Sequence, residues 1–309
     1  MKIFNSLDQI ENVEESIVVL GNFDGVHIGH QKLIYRAVRN AKSAGTKAAV
    51  FTFSNHPRNF LGKEEIVKSI LYPNEKARML RELGVDYLYN IEFNEEIMNT
   101  DPIDFIDNIL IGKMNMKEAV CGFNYRFGKF AQGTPEVLMR EGITKGYGIH
   151  ILEPIRVEGE IVSSTLIRHL IENGEMVKCK KFMGRNYVIG GKVVVGNKLG
   201  RTIGFPTSNI TVDKNMVTPP NGVYVTICHH NGIDYPSITN VGVKPTIGKY
   251  KKNVETHIFN FDSILYNKEI RVEFLEKMRD EIKFDSVKEL SEQITKDCVS
   301  AKAYHESLT

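Results

Sequence analysis

Residues 17–30 read IVVLGNFDGVHIGH. Ile17–Leu20 is a short apolar run with three β-branched residues, the pattern of a strand buried on both faces of a sheet. It breaks at Gly21 into a turn carrying Gly25 and Gly29, which have no side chain to obstruct a sharp bend or a close approach to a ligand. A helix is predicted over His30–Ser43, because Leu33, Ile34, Ala37, Val38 and Ala41 fall on one face, with Gly45 as its C-cap. A buried strand passing through such a loop into a helix is the opening unit of a parallel α/β sheet. Ligands of those sheets bind beyond the carboxyl ends of the strands. His27 and His30 stand at that point, separated by Ile28 and Gly29. Paired imidazoles there can bind a metal, relay protons or hold an anion.

Outward from this unit the alternation continues. Strand-like Ala48–Phe53 precedes helix-like Asn74–Leu83, which Gly84 ends, and strand-like Tyr87–Ile91 follows. Helix-like Pro102–Ile111, a short strand Ala119–Cys121 and helix-like Glu136–Gly146 complete the pattern, which predicts a Rossmann-like parallel sheet with flanking helices. The texture changes at Tyr187. Val188–Val195, Gly222–His229, Tyr235–Val241, Val254–Asp262 and Glu269–Leu275 read as strands separated by Gly, Pro, Asn and Asp turns. One helix closes the chain at Ser286–Tyr304, with an apolar stripe of Val287, Leu290, Ile294, Cys298 and Ala301. Strands in series with a terminal helix predict an antiparallel barrel with the helix packed on it. Helix-like Ser164–Asn173 and the basic segment Lys178–Lys181 join the halves, so the domains are expected at 1–183 and 184–309.

At 309 residues, two domains of ordinary size fit. Hydrophobic residues at 42% and charged residues at 25% are the composition of a folded globular chain. A net charge of +2 gives no general attraction to nucleic acid or anionic membrane, so any anion site must be local, and neither partner is expected. The four cysteines are scattered, with no CxxC pair, which reads as reduced thiols in a cytoplasmic protein. The polar, acidic N-terminal segment is unlike a signal peptide, and no apolar run nears the roughly 20 residues that span a bilayer. Nothing in the sequence fixes an oligomeric state.

Three further segments carry chemistry. Ser163-Ser164-Thr165-Leu166-Ile167-Arg168 opens a helix with hydroxyls at its start and an arginine one turn on, a set that suits phosphate. As a lone feature it reads better as a simple N-cap beside a solvated arginine. Between Gly196 and Asn209, glycines at 196, 200 and 204 suggest a loop folded closely over a ligand. Thr207 and Asn209, two apart, project to the same side of an extended segment. Their hydroxyl and amide oxygens are hard donors suited to Mg²⁺ that carries nucleotide phosphates, although a polar-edged Gly/Pro turn fits as well. In Val254–Phe261, alternation puts Glu255, His257, Phe259 and Phe261 on one strand face, placing a candidate general base among aromatic rings, although a Glu at the wet rim of a barrel strand gives the same pattern. No Walker A or HEXXH sequence occurs.

His27-Ile28-Gly29-His30 and Ser164–Arg168 together resemble the HxGH and (S/T)xxxR signatures of the nucleotidyltransferase superfamily. In their longer forms, GNFDGVHIGH and SSTLIR resemble the adenylyltransferase half of prokaryotic bifunctional FAD synthetases, as does Gly122-Phe123-Asn124-Tyr125-Arg126-Phe127-Gly128. The segments Gly184–Tyr187, Gly196–Asn209, Pro220–Tyr224, Gly242–Thr246, Val254–Phe261 and Arg279–Phe284 resemble, in order, the riboflavin kinase domain of the same enzymes. The resemblance implies a six-stranded antiparallel barrel for that domain. It implies an enzyme that phosphorylates riboflavin to FMN and adenylylates FMN to FAD, with ATP and Mg²⁺.

In the first domain the resemblance makes Gly21, Asn22, Phe23, Asp24, Gly25, His27, Gly29, His30, Ser164, Thr165 and Arg168 ATP- or phosphate-binding, and Asn124 flavin-binding. Of these, His27, His30 and Arg168 carry the catalysis. In the second it makes Gly200, Arg201, Gly204 and Pro206 ATP-binding, Thr207 and Asn209 the metal ligands, Glu255 the base and Arg279 a flavin contact. Departures fall at Ser54–Pro57, a partial match to a Pro-His-Pro turn, and at Ala131, Lys244 and Ile247, where relatives carry other side chains. Two rival expectations remain: a riboflavin kinase with an inactive first half, and a flavin- or nucleotide-sensing protein without turnover.

Overall fold

The computed structural model describes residues 1–62, 66–196, 199–246 and 249–308. Asn197 and Lys198 of the glycine-bearing loop, and Ile247, lie outside the described residues. By contacts the chain forms two compact units, Met1–Ser164 and Thr165–Thr309, and the helices that join the expected domains are counted with the second.

The first unit is built on six parallel strands: β1 (Lys2–Phe4), β2 (Ser16–Leu20), β3 (Lys47–Phe53), β4 (Tyr87–Ile91), β5 (Met116–Gly122) and β6 (Gly148–Leu152), in the order β1-β4-β3-β2-β5-β6. Strand β2 is central and every one of its residues is buried, as its unbroken apolar run requires. Burying each such side chain contributes about 1.5–3 kcal/mol relative to exposure. The helix Ile28–Ala44 buries Leu33, Ile34, Ala37 and Ala41 and ends at Gly45 in the left-handed conformation, with φ of 69°. It begins two residues earlier than its apolar periodicity predicts, because the His27 ring caps it. The edge strands β1 and β6 are additions to the expected set; in β6, Ile149 and Ile151 alternate with Gly148 and His150 and pack on the core. A two-stranded hairpin, β7 (Arg156–Val157) with β8 (Glu160–Ile161), precedes Ser164.

In the second unit, helices Ser164–Glu172 and Met176–Met183 lead into a closed antiparallel barrel. Its strands are β9 (Tyr187–Val194), β10 (Ser208–Thr211), β11 (Gly222–His230), β12 (Ile233–Thr246), β13 (Lys249–Ile258) and β14 (Glu269–Arg279). They run β10-β13-β12-β11-β14-β9, and β9 pairs with β10 to close the ring, which leaves no open edge. The helix Val287–Glu306 starts at Ser286, whose hydroxyl caps the Glu289 N–H at 3.2 Å. Only Asp297, Cys298 and Ala301 of this helix are buried, so the expected stripe is covered towards its carboxyl end and Val287 is exposed.

Strand β13 stops before the expected Asp262. Asn260 turns the chain with φ of 54°, so Phe261 leaves the strand face and packs edge to face on Tyr235.

Candidate active sites

In the sheet unit the loop from Gly21 to His27 leaves the carboxyl end of β2, and its shape is fixed by its own side chains. Phe23 and Val26 are fully buried with positive φ (50° and 39°), conformations that bulky residues adopt only when packing dictates it. Thr52 Oγ1 donates to the Asn22 carbonyl at 2.8 Å, and Gln31 Nε2 donates to the Val26 carbonyl at 2.9 Å. Asp24 Oδ1 accepts from the Ile70 N–H at 2.9 Å and the Leu71 N–H at 3.4 Å, which pins the loop to that segment. Gly25, at φ of 85°, would set a Cβ 3.0 Å from Ile70 Cδ1. Because the Phe23 ring is buried, only its backbone can meet a ligand.

His27 is the N-cap of Ile28–Ala44, and its Nδ1 accepts the His30 N–H at 3.2 Å. The two imidazoles stack with centroids 3.6 Å apart and planes at 14°, and Phe23 lies 5.0 Å from the His30 ring. Gly29 permits this stack, since a Cβ there would sit 3.2 Å from His27 Cε1 and Nδ1. The arrangement puts two aligned rings beside the partial positive charge of a helix start, where phosphate is favoured. Among the described residues no three His, Cys, Asp or Glu side chains converge as metal ligands.

Ser164 Oγ donates to the Asp24 carbonyl at 2.8 Å. Ser164, 140 residues further along the chain, is therefore tied to the loop that carries the first signature. Ser164 begins the helix Ser164–Glu172, in which Thr165 is exposed and Arg168 stands one turn further on. Asn124 lies exposed in the turn after β5. Since β5 is the parallel neighbour of β2, the turn after it and the Gly21 loop leave the same edge of the sheet.

The barrel site is made of side chains in register. Asn209 on β10 stands opposite Glu255 on β13. Thr207 Oγ1 donates to Glu255 Oε1 at 2.7 Å, and Asn209 Nδ2 lies 3.4 Å from Glu255 Oε1 and 3.5 Å from Thr207 Oγ1. Asn209 is buried, and its Oδ1 accepts from the Nδ2 of buried Asn253 at 2.9 Å. The glycines enclose this group. A Cβ at Gly196 would sit 2.6 Å from Asn209 Nδ2, and one at Gly200 would collide with the Phe205 carbonyl. Gly204 takes φ of 88°, and Arg201 is exposed beside it. His257 Nδ1 donates to the Pro206 carbonyl at 2.8 Å, while burial lowers the His257 pKa.

Arg279 is held apart from that cluster by a forked pair with Asp297 of the terminal helix, Nη2 to Oδ2 being 2.6 Å, and its Nη1 donates to the Asp280 carbonyl. Asn253 also belongs to the barrel cluster: it looks like an ordinary polar position in its strand, and only the cross-strand contact with Asn209 reveals it.

A parallel sheet with a phosphate-type helix start, followed by a barrel with clustered oxygen donors, defines a two-domain transferase that handles nucleotides. The FAD synthetase family matches residues 9–166 and the riboflavin kinase family residues 183–305. A bifunctional riboflavin kinase/FMN adenylyltransferase of Bacillus subtilis is 37% identical over 96% of this chain and 95% of its own, and one of Haemophilus influenzae is 31% identical over 99% and 100%. A solved structure described as a macrolide-efflux protein from Streptococcus pneumoniae shares the fold with a TM-score of 0.89 at 32% identity, covering 97% of this chain and 98% of that one. No helix among the described residues is long and apolar enough to cross a membrane. The chain belongs to the bifunctional riboflavin kinase/FMN adenylyltransferase family.

Proposed function

We propose that the chain converts riboflavin to FMN in residues 184–309 and FMN to FAD in residues 1–183, with ATP as co-substrate of both steps. In the barrel, Glu255 takes the proton of the ribityl 5′-hydroxyl while that oxygen attacks the γ-phosphorus of ATP and ADP departs. The donor set fits Mg²⁺ once the Asn209 amide turns over: Thr207 offers a hydroxyl oxygen beside the Glu255 carboxylate, while Asn209 directs its Nδ2 to both and its Oδ1 to Asn253, inside a cradle that any side chain at Gly196 would fill. Thr207 and Asn209 would hold the ion, which supplies charge neutralisation on the phosphates. Gly200, Arg201, Gly204 and Pro206 would line the ATP, and Arg279, oriented by Asp297, would border the flavin.

In the sheet unit a phosphate oxygen of FMN attacks the α-phosphorus of ATP, and pyrophosphate leaves. The step needs orientation and charge stabilisation and no protein nucleophile. His27 and His30, the N–H groups around Gly21–Gly25 and Gly29, and Ser164, Thr165 and Arg168 would hold the phosphates, while Asn124 would hold the flavin. The observation that carries this reading is the Ser164–Asp24 hydrogen bond of 2.8 Å, which joins the two phosphate-type segments at the carboxyl edge of the sheet. Four buried thiols without a disulfide support a cytoplasmic setting.

Incubating the purified protein with riboflavin, ATP and Mg²⁺, then separating the flavins, tests the whole reading. FMN followed by FAD is expected. FMN alone would leave the first half inactive, and bound flavin without product would make the chain a sensor.

A further inference from the structure

Lys76 lies in the first turns of the helix Pro73–Glu82, half-buried at the carboxyl edge of the sheet. Its Nζ stands 3.3 Å from the Phe53 carbonyl and 3.5 Å from Thr52 Oγ1, both at the end of β3. Thr52 in turn holds the Asn22 carbonyl, so one side chain links the ammonium to the Gly21–Gly25 loop. Both contacts are longer than the usual range of about 2.7–3.2 Å, and neither acceptor is charged. Among the described residues Lys76 makes no ion pair. Asp24 is within electrostatic reach, but its Oδ1 already receives two backbone N–H groups. Burial outweighs that attraction and lowers the Lys76 pKa.

A lysine that merely completed a helix surface would extend into water. Holding an ammonium in a desolvated position against two neutral acceptors costs free energy that an arriving anion offsets. Groups of this kind gather where a substrate completes the electrostatics. We propose that Lys76 is a further substrate-binding residue of the adenylyl-transfer site, its ammonium taking a phosphate oxygen of the bound substrates. The inference rests on the adenylyltransferase reading of the sheet unit. The oxygen can belong to the phosphates that end in FAD or to those that leave as pyrophosphate.

Lys76→Met keeps the aliphatic stem and removes the charge. Its kcat/KM for FAD formation is expected to fall about 10- to 100-fold, the loss of one hydrogen bond to a charged group. Lys76→Arg should recover part of that loss. The unfolding midpoint of Lys76→Met should equal or exceed the parent value, because a desolvated cation is gone. Titrating FAD and pyrophosphate separately into both proteins locates the oxygen: the ligand that binds the variant more weakly carries it. Unchanged binding of both ligands would overturn the proposal. So would a loss of activity that follows a lowered unfolding midpoint and is not relieved by arginine. A parent that forms no FAD would sink the adenylyltransferase reading instead, and the two titrations would still decide the role of Lys76.

Discussion

In the sheet unit, the groups that meet the candidate phosphate position are set by backbone: a helix start, two residues forced to positive φ, and imidazoles stacked over a glycine. In the barrel unit they are side chains on facing strands, Asn209 opposite Glu255, with Thr207 bonded to the same carboxylate. The first design stabilises charge by fixed dipoles and donors. The second gathers oxygen donors around one carboxylate that can accept a proton. The difference matches the chemistry each is proposed to perform, since a phosphate nucleophile arrives already ionised, whereas a ribityl hydroxyl must lose a proton.

The largest expected effect tests that contrast in the barrel. Glu255→Ala should lower riboflavin phosphorylation by about 10²- to 10⁴-fold, the usual contribution of a positioned base. FAD formation from supplied FMN should stay at the parent rate. Thr207 is only half-buried, so water can take over its donated hydrogen bond and the fold should persist. Equal loss in the two assays would break the division of labour between the units. A kinase rate that survives the substitution would remove Glu255 as the base.

The sheet site offers the next effect and separates structure from chemistry within one residue pair. His30→Ala should reduce FAD formation from supplied FMN by about 10²- to 10³-fold, as for loss of one preorganised donor, and leave FMN formation unchanged. His27 does two things, since its Nδ1 also caps the helix. His27→Ala should therefore cost about 0.5–2 kcal/mol of stability as well as activity. Asparagine is a good N-cap, so His27→Asn should restore the unfolding midpoint without restoring FAD formation. Recovery of both would reduce His27 to a structural cap.

How far each site could be read in the sequence follows from the same contrast. The buried strand Ile17–Leu20, the helix after it and its Gly45 end were legible, because local periodicity and a glycine at positive φ decide them. Thr207, Asn209 and Glu255 were legible as oxygen donors at spacings of two, but their meeting depends on the β10–β13 register, which no local pattern specifies. Edge strands β1 and β6 add to the expected set because they are short, three and five residues, and each has a partner on one side only. Phe261 leaves the expected face because β13 ends at Ile258 and Asn260, an ordinary polar residue in the sequence, then turns the chain in the left-handed conformation. Lys76 is silent in the sequence for a similar reason: a lysine in an amphipathic helix reads as solvated until the end of β3 is packed against it.

The smallest expected effect asks whether side-chain charge also holds the barrel together. His229, near the end of β11, is bonded through Nδ1 to Asp234 Oδ1 at 2.6 Å and through Nε2 to Glu273 Oε2 at 2.7 Å, while Asn186 donates to the other Glu273 oxygen and Arg271 lies close by. The hydrogen bond to Glu273 raises the His229 pKa above its ordinary value, and the same bond lowers that of Glu273. The stabilisation from His229 is therefore complete below about pH 6.5, the unfolded value, and is lost as pH rises through the higher folded value. That from Glu273 is complete above about pH 4.3 and is lost as pH falls through its lowered folded value. Raising the pH from about 6 to about 9 should lower the parent unfolding midpoint by about 2–4 °C more than that of His229→Gln, on the order of 1 kcal/mol. Parallel slopes in the two proteins would mean that backbone pairing alone closes the ring, and the contrast between the units would then be confined to their active sites.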